Sequence, residues 1–360
     1  MWSNFILLYG HNKKNDGNLT ENNIIFTALT MEQATLKQLS EILKISVSTV
    51  SRALKNHPDI SEETKRKVKE LAETLDYEPN RNAIYLRNNT SNIIGIMVPS
   101  LDNFFYDSFT VAVEEEARAM GYSVLIMQSG ESKDIEIANL RLLKNNRIAG
   151  VFVSITGETE DLSPFLKLQE KKIPVIFFDR VPDYDLCNKI CLADKVAATM
   201  AAEILISKDK KKVLALFGHP KLTISQKRFK AFNETYTTKA PATVIDNRFP
   251  LTIAQAKAMT LAALENEKRP DAIFGMGDLI LIGIMQALHE KGLKVPEDIG
   301  VISISNGLIP TLYNPKITFV ETSGYKLGKL AFKRMSECIA GSTFMQELTV
   351  DSILVEGGSL

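Results

Sequence analysis

From Ile93 onward the chain repeats one pattern, a short and continuously apolar run followed by a stretch with helical spacing. Ile93 to Val98, Ser123 to Gln128, Ala149 to Ser154 and Pro174 to Phe178 read as strands. Between them Asp107 to Met120, Asp134 to Asn145 and Glu160 to Lys171 read as helices. A second set follows, with strands at Lys212 to Phe217, Thr243 to Asp246, Asp271 to Gly275 and Gly300 to Ile304. Its helices are Lys195 to Ser207, Ser225 to Tyr236, Ile253 to Leu264 and Leu279 to Lys291, and a last strand spans Thr349 to Val355. Strands that are apolar along their whole length must be covered on both faces, and strands alternating with helices run parallel. Two such sets in series predict an α/β protein with two doubly wound lobes. Ligands of such sheets bind at the carboxyl ends of the strands, which here means the cleft between lobes.

The region before Ile93 has a different texture. Leu36, Leu39, Ile42 and Leu43 recur at helical spacing, and Lys44-Ile45 form a turn. Ser46 is then a good N-cap for a second short helix in which Val50 and Leu54 face inward while Val47, Ser48 and Arg52 face out. Ser61 caps a third helix, with Glu62 and Glu63 at its positive end and Val68, Leu71, Ala72 and Leu75 as its apolar stripe. No acidic residue lies between Ile42 and Pro58. Helix N-terminal amides and hydroxyls hold phosphate, and an arginine grips a guanine edge, so this helix-turn-helix surface suits duplex DNA. The competing reading is a capped, solvated helix in an ordinary helical domain. The formal net charge is zero, so DNA affinity has to come from a local basic surface, which Lys37, Lys44, Arg52, Lys55, Arg81 and Arg87 supply.

Thr35-Leu36, the run Val47 to Arg52, Ser61-Glu62-Glu63-Thr64, Asp76-Tyr77 with Pro79-Asn80, Ala83 and Leu86 fall in the order and spacing of the lactose-repressor (LacI) family of transcription regulators, which the chain closely resembles. The resemblance continues through Asn103-Phe104-Phe105-Tyr106, Ile173 to Arg180, Gln226 to Phe232, Gly277-Asp278 with Gly283, and Gly292 to Gly300. It implies an all-α helix-turn-helix headpiece followed by two periplasmic-binding-protein-like lobes. Residues 1–33 would be an extension outside the family pattern, with Met31 a candidate initiator. Residues 34–79 would be the DNA-binding domain and 80–91 a hinge helix and linker. Residues 92–360 would bind effector and dimerise, with one lobe near 92–190 and 322–349 and the other near 191–321 and 350–360.

The resemblance also implies contacts. Val47, Ser48 and Arg52 would reach base edges, with Thr35, Ser46, Thr49, Ser51 and Ser61 on phosphates. Asn80, Arg81, Ala83 and Leu86 would enter the minor groove, Leu86 as the wedge that opens a base step. The partners would be a near-palindromic operator and a second copy of the chain. With no heptad extension at the end, a dimer is expected in preference to a tetramer.

In the lobes, Asp179 offers two acceptors and Arg228 a donor fork, a pair suited to vicinal hydroxyls or a carboxylate. The alternative for both is a surface salt bridge. Phe104, Phe105 and Tyr106 could stack on a sugar or simply pack in the core. The family pattern adds Asn103, Asp278, Ser305, Asn306 and Glu321 to the effector contacts and implies a sugar or sugar derivative as effector. The chain departs from that pattern where Lys44 stands for the turn glycine and Phe104 for proline. It departs again where Gly277 stands for an effector-contacting asparagine, Ser305-Asn306 for an acidic pair and Glu321 for glutamine. A non-sugar metabolite or a partner protein is the alternative effector.

Other classes find little support. Gly275-Met276-Gly277 partly mimics a dinucleotide fingerprint, but Ile280 holds the third glycine position and Asp278 puts a carboxylate where pyrophosphate would sit. The histidines (His11, His57, His219 and His289) lack metal spacing, and neither a nucleophile elbow nor a phosphate-binding P-loop is present. Cys187, Cys191 and Cys338 suit incidental thiols in a reducing cytoplasm. The expectation is therefore a cytoplasmic regulator with no cofactor, no metal and no membrane span, in preference to an enzyme or a solute-binding protein.

Overall fold

A computed structural model describes residues 34–77, 91–267 and 269–360. The expected extension at 1–33 and the hinge residues Asn80, Arg81, Ala83 and Leu86 lie outside the described residues. The chain divides into two compact units between Arg81 and Asn82.

The first unit is built from α1 (Leu36–Leu43), α2 (Val47–Leu54) and α3 (Glu62–Thr74). Each begins with a side-chain cap. Thr35 and Gln38 form a reciprocal capping box, Ser46 Oγ accepts from Thr49 N at 3.1 Å, and Ser61 Oγ accepts from Thr64 N at 3.3 Å. Leu39, Val50, Ala53, Val68 and Ala72 close the core, with Leu36, Leu43, Leu54 and Tyr77 packed around it. Two expectations shift. Ala53, with Val50, is the fully buried residue of α2 while Leu54 is half-buried, and Ile42 is 56 % exposed instead of facing inward. Three short helices do not offer enough interior for every residue of an apolar stripe.

The second unit holds two six-stranded sheets. The strands in chain order are β1 (Ile93–Val98), β2 (Ser123–Gln128), β3 (Gly150–Val153), β4 (Val175–Phe178), β5 (Asn188–Leu192), β6 (Lys212–Leu216), β7 (Val244–Arg248), β8 (Ala272–Gly275), β9 (Gly300–Ser305), β10 (Thr318–Glu321), β11 (Glu347–Val350) and β12 (Ile353–Val355). The first sheet runs β11-β5-β4-β3-β1-β2, all parallel, in a register that pairs Ile94 with Val124 and Gly150. The second runs β12-β10-β9-β8-β6-β7, parallel except for β12. The helices are α4 (Phe104–Ala119), α5 (Lys133–Asn145), α6 (Ser163–Glu170), α7 (Asp194–Ser207), α8 (Thr223–Lys239), α9 (Ile253–Leu264), α10 (Asp278–Glu290) and α11 (Gly324–Ile339). Buried Ile, Val and Phe from both faces of β1, β3 and β4 form two cores in the first lobe, and a single larger core fills the second.

The chain passes between lobes after β5, after β10 and between β11 and β12. Strands β5 and β10 and helix α11 had no counterpart in the sequence reading, and the run Thr349 to Val355 proves to be two strands in different sheets. In β5 the apolar run is broken by Lys189, whose buried stem carries its ammonium toward Asp185 and Glu347. Helix α11 contains Gly324 and Gly328, which weaken its propensity but fit it against α4. A Cβ at Gly324 would collide with the Phe105 carbonyl, and one at Gly328 would sit 2.7 Å from that of Phe109.

Candidate functional site

On the first unit, α2 presents Val47, Ser48 and Arg52 to solvent, with Val47 44 % exposed. Ser46 Oγ is shared among Ser48 Oγ at 2.7 Å, Thr49 Oγ1 at 2.8 Å and the Thr49 amide, so the hydroxyls at the helix start form one local network. Ser51 is half-buried. Arg52 has a neighbour the sequence did not suggest. Asp59 curls back to lie 3.7 Å from its guanidinium, and His57 Nδ1 lies 3.3 Å from the same carboxylate. Both partners of the Arg52 pair are exposed, so it holds the arginine only loosely.

In the second unit a cavity of about 140 Å³ opens between the lobes, at the carboxyl ends of β4, β6, β8 and β9. Asn103, Phe105, Tyr106, Asp179, Arg228, Asp278, Ser305 and Asn306 all line it. Asp179 follows β4 with φ of +56°, a left-handed conformation that aspartate tolerates better than most residues. Its Oδ2 accepts from the Tyr106 hydroxyl at 2.9 Å, and that hydroxyl also meets Ser154 Oγ at 3.0 Å. Burial raises the Asp179 carboxyl above its usual range, against the pull of Arg180 and Arg228.

Arg228 is buried, not a surface ion-pair residue. Its Nε and Nη2 reach Asp194 Oδ1 at 2.9 and 2.8 Å, and Nη1 donates to the Met276 carbonyl at 2.6 Å. The ion pair is therefore with Asp194, which opens α7, and not with Asp179. Burial pushes the Asp194 carboxyl up to about 6, with Arg228 opposing the rise and Asp179 adding to it. Asp278 opens α10, where it accepts from Ser305 Oγ and from Asn306 N at 3.1 Å. Burial raises this carboxyl as well, and the bond from Ser305 opposes the rise. That carboxylate occupies the helix start where a dinucleotide fingerprint would need a phosphate.

Two residues expected at the cavity are not on its wall. Phe104 is 40 % exposed and turned outward, because one step along α4 swings it away from Phe105 and Tyr106. Glu321 ends β10 pointing away and pairs with Lys326 at 3.2 Å, while the next residue, Thr322, lines the cavity. Adjacent strand residues face opposite sides, so only one of the two could. Phe105 and Tyr106 belong to the lobe core and reach the cavity at their edges. Asn306 has a second role. Its Nδ2 donates to the Phe104 carbonyl at 3.3 Å, and its Oδ1 accepts from Ser108 Oγ at 3.2 Å and Gly324 N at 2.9 Å, tying one lobe to the other. Sequence reasoning missed Asp194, Arg180, His219, Ser225, Met276 and Thr322. Only the Asp194 carboxylate at a helix start carried a signal, as a candidate partner for a buried arginine. Cys187 and Cys191 are buried, and among the described residues no cluster of His, Cys, Asp and Glu could hold a metal ion.

A capped helix-turn-helix unit in the same chain as a two-lobed unit with a polar cleft defines the class of small-molecule-responsive, DNA-binding regulators. Residues 35–80 match the model for bacterial regulatory proteins of the lacI family, and residues 91–354 match that for periplasmic binding proteins and the sugar binding domain of the LacI family. The chain belongs to the LacI family and is a DNA-binding transcriptional regulator, not an enzyme. It is 28 % identical over 310 residues to the HTH-type transcriptional repressor PurR of Vibrio atlanticus, covering 85 % of this chain and 92 % of that one. It is 27 % identical over 297 residues to the ribose operon repressor of Halalkalibacterium halodurans, covering 82 % and 88 %. The fold superposes on the lac repressor dimer bound to operator and the anti-inducer ONPF with a TM-score of 0.81 at 22 % identity, covering 91 % of this chain and 99 % of that one. No helix among the described residues is long and apolar enough to cross a membrane.

Proposed function

We propose that the protein is a cytoplasmic, homodimeric repressor of a near-palindromic operator, controlled by a small molecule held between its lobes. In this reading each α2 enters the major groove of one half-site. Val47, Ser48 and Arg52 read bases, and Thr35, Ser46, Thr49, Ser51 and Ser61 anchor to phosphates. Asn80, Arg81, Ala83 and Leu86 act in the minor groove as a hinge that is too short to be a stable helix alone. An effector in the cleft shifts the lobes and with them the spacing of the two hinges.

The observation that carries the effector half is the cavity itself, with half-buried Asp179 and buried Arg228 and Asp278 converging on it from both lobes. A sugar or sugar derivative fits its size and its hydrogen-bonding wall. A non-sugar metabolite such as a nucleobase is the second reading, favoured by the likeness to the HTH-type transcriptional repressor PurR, whose name is not that of a sugar operon. The test is selection of bound fragments from genomic DNA, followed by a screen of sugars and nucleobases for release or tightening. Absence of any preferred site across salt concentrations rejects the operator reading. A compound that changes operator binding and is sensed normally by Asp278→Ala rejects the cleft.

A further inference from the structure

Counted with the groups just behind its wall, the inter-lobe cavity is surrounded by more negative than positive charge. Asp179 and Asp278 line it, and Asp194 lies directly behind Arg228. Against these three carboxylates stand two guanidiniums. That of Arg180 is already bound to Glu131 at 2.5 Å, and that of Arg228 is turned on Asp194 and the Met276 carbonyl. Positive charge is therefore neutralised within the protein, whereas Asp179 and Asp278 keep spare lone pairs. Each accepts from neutral donors, Tyr106 for the one and Ser305 with the Asn306 amide for the other.

A separate observation points to a missing ligand group. Ser225 lines the same cavity, is 1 % exposed, and its Oγ has no hydrogen-bond partner among the described residues. A buried hydroxyl left unpaired is costly, and a hydroxyl or carbonyl on a ligand would satisfy it. The cavity volume of about 140 Å³ is that of roughly five waters in the liquid, room for an occupant of about the size of a monosaccharide.

We propose that this cleft selects a small amino compound, with a protonated amine toward Asp179 and Asp278 and a hydroxyl or carbonyl toward Ser225, over its neutral counterpart, and that it rejects phosphate esters. The proposal rests on reading the cleft as the effector site and narrows the chemistry of what fills it. A cation supplies the counter-charge that the wall lacks. An anion sets like charge against two carboxylates, one buried and one half-buried, which is costly at low dielectric. Burial raises both carboxyls above their usual range, and an amine placed against them favours their charged forms.

The experiment is calorimetric titration of the full chain with matched trios, glucose with glucosamine and glucose 6-phosphate, and galactose with galactosamine and galactose 6-phosphate. The amine of at least one trio is expected to bind about tenfold tighter than its neutral partner, with no heat from the phosphate. Asp278→Asn and Asp179→Asn should each shrink that preference to about twofold, while Ser225→Ala weakens the amine and the neutral sugar alike. Thermal melting of each variant establishes that the fold is kept, and if one Asn variant unfolds the other carries the test of charge selection. A neutral sugar or phosphate that binds at least as tightly as the amine, with the preference unmoved in the variants, overturns the charge selection and leaves the cleft as effector site. No binding by any of the six compounds overturns the selection of a small amino compound, while the cleft itself stands or falls by the release screen and the response of Asp278→Ala.

Discussion

Lys44 ends α1 with φ of +54° and ψ of +39°, a left-handed conformation that a residue with a Cβ adopts at a cost of about 1 kcal/mol. The side chain is exposed and adds no contact to offset the strain, while the turn itself is held by the Lys44 and Ile45 amides bonding back to Glu41 and Ser40. Lys44→Gly should raise the stability of the helix-turn-helix unit by about 0.5–1 kcal/mol, measured by urea unfolding followed through helical circular dichroism; an unchanged midpoint would count against the strain. Arg52 is held only by an exposed pair with Asp59. Arg52→Ala should cost about 1–3 kcal/mol of operator affinity and relax base preference, which a site-selection assay on the variant would show. At the cavity Gly277 is extended, with φ of −172°, and has open space where a Cβ would go. Gly277→Asn should leave the melting temperature nearly unchanged and alter ligand preference, because it adds an amide to the wall at the start of α10. Asp179 and Asp278 were legible from the sequence because one follows a strand and the other opens a helix, and Arg228 because Gln226 to Phe232 resembles the family's pattern. Their partners were not, since Arg228 could be paired with Asp179 or Asp194 on spacing alone.

At the level of elements, the apolar strands of the sheet centres were legible because burial on both faces leaves no room for polar residues. The edges were harder. Strand β5 carries Lys189 and Asn188, β11 and β12 are short and share one apolar run, and α11 opens on glycine. What places α11 is contact with α4, an interaction distant in sequence that no local propensity encodes. Gly328→Ala should therefore cost about 1–3 kcal/mol, since the new methyl would press on the Phe109 carbonyl and Ala112. Thermal unfolding of the variant gives the number, and a loss below a few tenths would mean that the two helices can separate freely. The loop after β9 is the other joint that the sequence concealed. Its Ser305-Asn306 read as effector contacts, yet Asn306 also bonds the Phe104 carbonyl, Ser108 and Gly324 across the cleft. A side chain in both places would transmit a ligand's pull from α10 to α4. Asn306→Ala should then weaken the response of DNA binding to effector more than it weakens effector binding itself, and equal losses would reduce Asn306 to a simple ligand contact.

Across the whole molecule, the buried carboxylates of the cleft set a pH dependence whose sign follows from their burial. Asp194 is raised to about 6, and Asp179 and Asp278 are raised as well. A carboxyl that holds its proton more tightly in the folded than in the unfolded chain favours folding at low pH. That stability is complete below about pH 4 and is lost as the pH climbs through the folded value near 6. The two-lobed unit should thus lose stability, on the order of a few kcal/mol, between those limits, and Asp179→Asn should flatten the slope in denaturation curves taken across that range. The way the strands are shared out has a last consequence, for synthesis. Strand β11 borders one sheet, β12 borders the other, and the backbone of Ser359 accepts from Val301 at 2.8 Å. A nascent chain halted before Glu347 would carry a finished helical head on two half-bordered sheets, so neither lobe can be completed on the ribosome until the segment from Glu347 to Val355 has emerged.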